Sequence, residues 1–279
     1  MQKITLFLLM IILSLSIFAQ TKTCCSSTEA FAALGNDVAF VNKHEEPVPM
    51  LYIEQKGEMI TFKVSDGKDA NAYAVKSLEK SNKYVLVFHE WWGLNEYIKQ
   101  MSDKLSSDLT NVNVIAIDLY DGKVATSRED AQNYMMALSQ ERAMAIMEGL
   151  KTKIGAEAEV ATIGWCMGGG MSMQASLAFA NEAIACIMYY GMPETNIEKL
   201  ITLQAPVLFI HASYDQWIND EVVKTFEMNM KQVNKQLKVL RYDADHAFAN
   251  PSNPKHNAEA AQDAYDHVLK FLNERLMGK

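Results

Sequence analysis

Hydrophobic and polar positions along this chain switch repeatedly between a period of two and a period near three and a half. Residues 59–64 and 72–76 alternate apolar and polar side chains around Ser65-Asp66-Gly67, the pattern of a β-hairpin. Residues 84–89 form a continuous β-prone run, and 112–119 form another; each suits a strand buried on both faces. Between them, 96–109 is amphipathic with helical spacing. A long helical region follows at 127–153, broken near Leu138. Further apolar runs at 160–163, 183–190, 207–211 and 238–242 alternate with helical stretches, the last of them from about 257 to 276. Strands that alternate with helices predict the α/β class: a mostly parallel central sheet with helices on both faces. No internal repeat or low-complexity segment breaks this pattern, so residues 57–279 read as one domain.

The beginning of the chain carries a different signal. Lys3 precedes an apolar run at 4–18, interrupted by Thr5, Ser14 and Ser16, with Ala19 a residue to cut behind. We read 1–19 as a signal peptide and expect export to the periplasm or beyond. The run is short for a membrane span and no charged stop-transfer pattern follows, so no stable span is expected after processing. Residues 20–56 read as an N-terminal extension, with a weak helical patch at 28–34 and two prolines, Pro47 and Pro49. It is expected to wrap the domain surface, and its residues suggest no chemistry.

Composition narrows the function further. The formal net charge is -8, and no Lys/Arg block interleaves with aromatics, which excludes a nucleic-acid partner. Four cysteines make no disulfide framework in 279 residues. Cys24 and Cys25 are adjacent, where pairing with each other would be strained. Cys186 falls in an apolar strand and reads as inert, and no Cys-x-x-Cys supports a thioredoxin-type role.

Cys166 stands apart. It sits in Thr162-Ile163-Gly164-Trp165-Cys166-Met167-Gly168-Gly169-Gly170, between an apolar run and an Ala-, Met- and Leu-rich stretch at 171–181 that reads as a helix. Strand, tight turn and helix are the context of a nucleophile elbow, in which the nucleophile projects into a cleft. Gly164 and Gly168 leave room for close backbone approach, and Gly169 or Gly170 lets the helix pack on the strand. The amide after the nucleophile, on Met167, then points at a developing oxyanion, and the helix N-terminus favours a thiolate. In an open α/β sheet, ligands sit beyond the carboxyl ends of the strands. The later strands end there in Asp215 and His246. Nucleophile, acid, histidine is the chain order of α/β-hydrolases. His246 would take the thiol proton and Asp215 would hold its tautomer; Asp243 and Asp245 compete for the acid role but lie close in sequence to His246.

With Cys166, Asp215 and His246 in this arrangement, together with His89-Glu90-Trp91-Trp92-Gly93 and Asp118-Leu119-Tyr120, the chain from about residue 57 onward resembles the dienelactone hydrolases (carboxymethylenebutenolidases), which have the α/β-hydrolase fold. The resemblance is specific, because most α/β-hydrolases carry Ser at the elbow. It implies cleavage of a small carboxylic ester or lactone through a Cys-His-Asp triad and a thioester, with no metal or other cofactor. It also implies that Glu90 contacts the resting thiol and gates its ionisation, and that the Trp91 amide completes the oxyanion hole with that of Met167. Trp92, Tyr120 and Phe248 are candidate pocket residues. One departure bears on substrate. Family members that cleave dienelactones hold its carboxylate with arginines, one of them four residues after the catalytic histidine, and here that residue is Asn250. Arg128 and Arg142 fall on predicted helices and read as solvated. The same machinery permits thioester hydrolysis or acyl transfer, and a non-catalytic binding protein on this fold is the alternative from another class.

Overall fold

The computed structural model describes residues 27–278; the leader expected at 1–19 and the pair Cys24 and Cys25 lie outside the described residues. Eight strands form one sheet: β1 (Glu58–Lys63), β2 (Asp69–Val75), β3 (Lys83–Phe88), β4 (Asn113–Ile117), β5 (Glu159–Trp165), β6 (Ala183–Tyr189), β7 (Val207–Ala212) and β8 (Leu237–Tyr242), in the spatial order β1-β2-β4-β3-β5-β6-β7-β8. The hairpin of β1 and β2 is antiparallel and joins β4 antiparallel. From β4 to β8 every pairing is parallel. Parallel strands need crossovers, and helices supply them on both faces. The central strands are accordingly buried: Val85 to Phe88 and Val160 to Ile163 have no exposed surface, Thr162 being the polar residue among them.

Helices begin where a polar side chain caps them. Asn95 opens α3 (Glu96–Asp108), counting α1 (Ser27–Ala33) and α2 (Val38–Lys43) before it. Ser127 caps α4 (Arg128–Ala137) and Ser139 caps α5 (Gln140–Ile154), so the long helical region is two helices with the break at Leu138 and Ser139. Asn196, Asn219 and Asn257 cap α7 (Ile197–Thr202), α8 (Asp220–Gln232) and α9 (Ala258–Leu276). The exception is α6 (Met167–Phe179), whose N-cap is Cys166 with no side-chain cap bond. It is mostly apolar, with no solvent face of its own, and almost wholly buried against β5 and β6, as a helix in the centre of a large core must be. Its hydroxyls bond inward: Thr162 Oγ1 donates to the Ser172 carbonyl at 3.0 Å and lies 2.8 Å from Ser176 Oγ. No helix among the described residues is long and apolar enough to cross a membrane.

The extension corrects one expectation. It does not lie on the surface alone: Phe31 and Phe40 are among the largest fully buried side chains. Gln132 donates to the Gly35 carbonyl at 2.6 Å, and Asp37, which caps α2, accepts from Trp217 Nε1 at 2.9 Å. It therefore shares the domain's core.

Candidate active site

The parallel strands place their following residues on one edge. Glu90 follows β3, Cys166 follows β5, Asp215 follows β7 and His246 follows β8. These four residues, spread over more than half of the sequence, converge because the sheet aligns strand ends.

Cys166 occupies φ 56°, ψ -121°, a backbone region costly for a residue with a Cβ, on the order of 1–3 kcal/mol. The surroundings enforce it. A Cβ at Gly164 would collide with the Gly168 carbonyl, and one at Gly168 with the carbonyl of Phe88, so β5, α6 and β3 touch backbone to backbone at the elbow. A Cβ at Gly169 would lie 2.8 Å from the Tyr189 carbonyl. The thiol is 1% exposed. Burial raises its pKa above the ordinary thiol range; His246 and the Met167 amide pull it down, while Glu90 pushes it up.

His246 Nδ1 lies 2.5 Å from Asp215 Oδ2. The carboxylate is itself held by the amides of Trp217 and Ile218, at 2.9 and 3.0 Å on Oδ1. Burial alone would raise the Asp215 pKa, but His246 and these donors bring it below the usual carboxylate value. Burial opposes charge on His246, and Asp215 overcomes it, raising the imidazole well above 6.5. With Nδ1 turned to Asp215, the buried Nε2 is without a hydrogen-bond partner among the described residues and is the nitrogen left for the thiol. Asp245, one of the rivals for the acid role, faces Lys43 and Lys255 instead.

Glu90 is buried, and burial raises its pKa to about 7 against the pull of His246, Asn250 and Tyr190. Its Oε2 accepts from Asn250 Nδ2 at 2.5 Å, so the residue that stands where the resembled family often carries an arginine holds the Glu90 carboxyl. Glu90 and Cys166 line the same small cavity, and the carboxylate acts on the thiol through space. Trp92 lines that cavity too. Tyr120 donates to Met167 Sδ at 3.3 Å, supporting the elbow from below. Phe248 packs on Tyr190 and Tyr242 behind the His246 loop and is not among the cavity's lining residues. Trp91 is fully buried and stacks edge-on with Trp92.

Two arginines are not simply solvated. Arg142 is a structural clamp, paired with Asp66 and Asp121 at 2.9 and 2.5 Å. Arg128 donates from Nε to the His44 carbonyl at 2.7 Å. Sequence reasoning missed His44 altogether. It follows α2 in the extension, is 5% exposed, and brings Nε2 to 4.0 Å from Cys166 Sγ. Its Nδ1, 2.8 Å from the Phe40 carbonyl, can only donate there, so Nε2 presents a lone pair to the thiol. Burial, then His246, pushes the His44 pKa down to about 3, and the ring stays neutral. One ring nitrogen each from His44 and His246 and the Cys166 sulfur lie within 4.8 Å of one another, the grouping among the described residues that a soft metal ion would suit. Chemically the site offers a buried thiol, an imidazole held neutral, a second imidazole whose charged form an adjacent carboxylate favours, and a second carboxyl poised near neutrality.

Comparison with known proteins agrees with this geometry. A carboxymethylenebutenolidase homologue of Aquifex aeolicus is 29% identical over 234 residues, 77% of this chain and 99% of its own. Carboxymethylenebutenolidase 1 of Cupriavidus pinatubonensis is 23% identical over 215 residues, 72% of this chain and 90% of its own. A dienelactone hydrolase-like promiscuous phosphotriesterase from metagenomic libraries superposes with a TM-score of 0.66 over 79% of this chain and 99% of its own, at 20% identity, a likeness of fold. The sequence profile of the Dienelactone hydrolase family matches residues 70–276. With the elbow, the strand-end acid and histidine and this match over most of its length, the chain belongs to the dienelactone hydrolase family.

Proposed function

We propose that this hydrolase cleaves a carboxylic ester or lactone by a Cys-His-Asp mechanism. The observation that carries the reading is the Asp215–His246 pair at 2.5 Å, with a His246 ring nitrogen within 4.8 Å of the sulfur of a cysteine held at a strained elbow. His246 Nε2 takes the thiol proton as Cys166 Sγ attacks the carbonyl carbon. Asp215 holds the ring and offsets the imidazolium charge that then forms. The Met167 and Trp91 amides donate to the oxyanion at the N-terminus of α6. On collapse the C–O bond breaks and the alkoxide takes the proton from His246, leaving a thioester. Water, deprotonated by His246, attacks the thioester, and the acid leaves as the thiol regains its proton.

Glu90 sets when the thiol ionises: an ionised carboxyl beside Sγ disfavours the thiolate, and a protonated or displaced one does not. Relatives bear the name carboxymethylenebutenolidase. Here Asn250 is engaged with Glu90, and among the described residues no Lys or Arg lines the Cys166 cavity, so an anionic lactone meets no bidentate partner among them. An uncharged ester or lactone fits better. Export is proposed from Lys3 and the apolar run at 4–18, and mass spectrometry of the exported protein should find a chain that begins near residue 20.

Hydrolysis of aryl acetates and a dienelactone by the protein and by Cys166→Ala tests the reading. The parent should turn over the acetates faster than the dienelactone, and Cys166→Ala should lose at least about a hundredfold, the scale of a lost catalytic group. Equal residual rates in the two proteins would refute it.

A further inference from the structure

We infer that His44, delivered by the N-terminal extension, limits the acyl group that Cys166 accepts to small, uncharged ones. The inference rests on Cys166 being the acyl acceptor.

The thiol does not face an open cleft. Its cavity measures about 10 Å³, room for about one water molecule, and His44, Glu90, Trp92 and Asn250 are among its walls. The wall on the extension side is the His44 ring, 4.0 Å from the sulfur. This ring is wedged among Phe40, Trp91 and His246, with centroids at 4.3, 4.4 and 5.3 Å. Three contacts tie down the segment that carries it: Arg128 on the His44 carbonyl, Trp217 on the Asp37 side chain, and the Lys43 ammonium 3.6 Å from Asp245.

An acyl group that extends toward the extension side must therefore displace the ring, and the cost depends on its size. A short group needs the imidazole to rotate within its seat. A longer chain needs the seat itself to lift, which separates Phe40 from Trp91 and Trp217, in edge contact at 5.8 and 5.2 Å. Charge adds a second filter. A carboxylate on the acyl group would meet Glu45 and Glu90 and, among the lining residues, no cation. His44 cannot supply one, since it is held neutral by its burial.

The test compares p-nitrophenyl acetate, butyrate, hexanoate and octanoate with the full chain, His44→Gly and Arg128→Ala. In parallel, mass spectrometry follows alkylation of Cys166 by iodoacetamide and by the bulkier N-phenylmaleimide. In the parent, kcat/KM should fall by about tenfold or more from acetate to octanoate, the scale of a pocket that rejects added methylenes. His44→Gly should flatten that series and raise the maleimide-to-iodoacetamide ratio severalfold. Arg128→Ala, which frees the His44 carbonyl without emptying the site, should shift both in the same direction by less, and it carries the test if His44→Gly does not fold. An unchanged chain-length profile and an unchanged alkylation ratio in the folded variants would overturn the inference. If no ester is turned over but the alkylation ratio rises, the steric limit stands and the hydrolase reading fails.

Discussion

Glu90 shows how one side chain links stability to reactivity. Its carboxyl titrates near 7 in the folded protein because it is buried, against about 4.5 when unfolded. Between those values the folded state holds a proton that the unfolded state has lost, so stability falls as pH rises from about 4.5 to 7. Over that window the loss is on the order of 3 kcal/mol. Glu90→Gln keeps an acceptor for Asn250 and removes the titration. It should therefore be more stable than the parent at pH 8, by up to that amount, and nearly equal at pH 5; urea unfolding at the two pH values checks this. Reactivity should diverge over the same range. Below pH 7 the parent's Glu90 is protonated and resembles Gln, whereas above it the carboxylate suppresses the thiolate. The alkylation rate of Glu90→Gln relative to the parent should climb from near one at pH 6 to severalfold at pH 8. A flat ratio would mean that Glu90 does not gate the thiol.

Among the elements, what could be read from the sequence followed locality. The hairpin strands announced themselves by alternation and the later strands by apolar runs, and the break read near Leu138 lies where Ser139 caps α5. The elbow was legible because glycine spacing there answers a steric demand: β5 and α6 meet backbone to backbone. The start of α6 was read four residues late, since Gly168 to Gly170 have poor helix propensity and only burial makes them helical. Helix α2 was missed for a related reason. Six residues are too few to be helical alone, and its stability comes from packing Phe40 into the core. His44 lies 122 residues before Cys166, with no local pattern to pair them. Gly164→Ala tests the elbow at this scale. Its methyl group would collide with the Gly168 carbonyl, so α6 must move off β5. Moving buried backbone is an overpacking cost of at least about 1–3 kcal/mol. The variant should melt well below the parent, and Cys166 should become accessible to iodoacetamide in the native state. A melting temperature within a degree or two of the parent's would contradict the backbone contact.

At the scale of the whole molecule, the extension and the catalytic domain are one body joined by a thin connection. Residues 45–57 have no regular secondary structure, and Val48, Leu51 and Ile53 are 64%, 84% and 80% exposed. They are tied down at a few points, such as Tyr97 donating to the Val48 carbonyl and Tyr52 to Asp103. On either side the chain is buried: Phe31, Phe40 and His44 before it, the sheet after it. Full burial of two phenylalanines contributes about 1.5–3 kcal/mol each, which holds the N-terminal piece in place without the covalent link. Limited proteolysis should therefore cut within 45–57 before any other described segment. The two fragments should then co-elute on gel filtration, because the contacts that hold 27–44 are not those the protease removes. The cut also lowers the cost of lifting His44, since the segment is no longer anchored on its C-terminal side. Nicked protein should gain more on p-nitrophenyl octanoate than on the acetate. If the N-terminal fragment instead separates at once, the extension owes its position to covalent tethering, and its packing against Trp91 and Trp217 is too weak to define the mouth of the site.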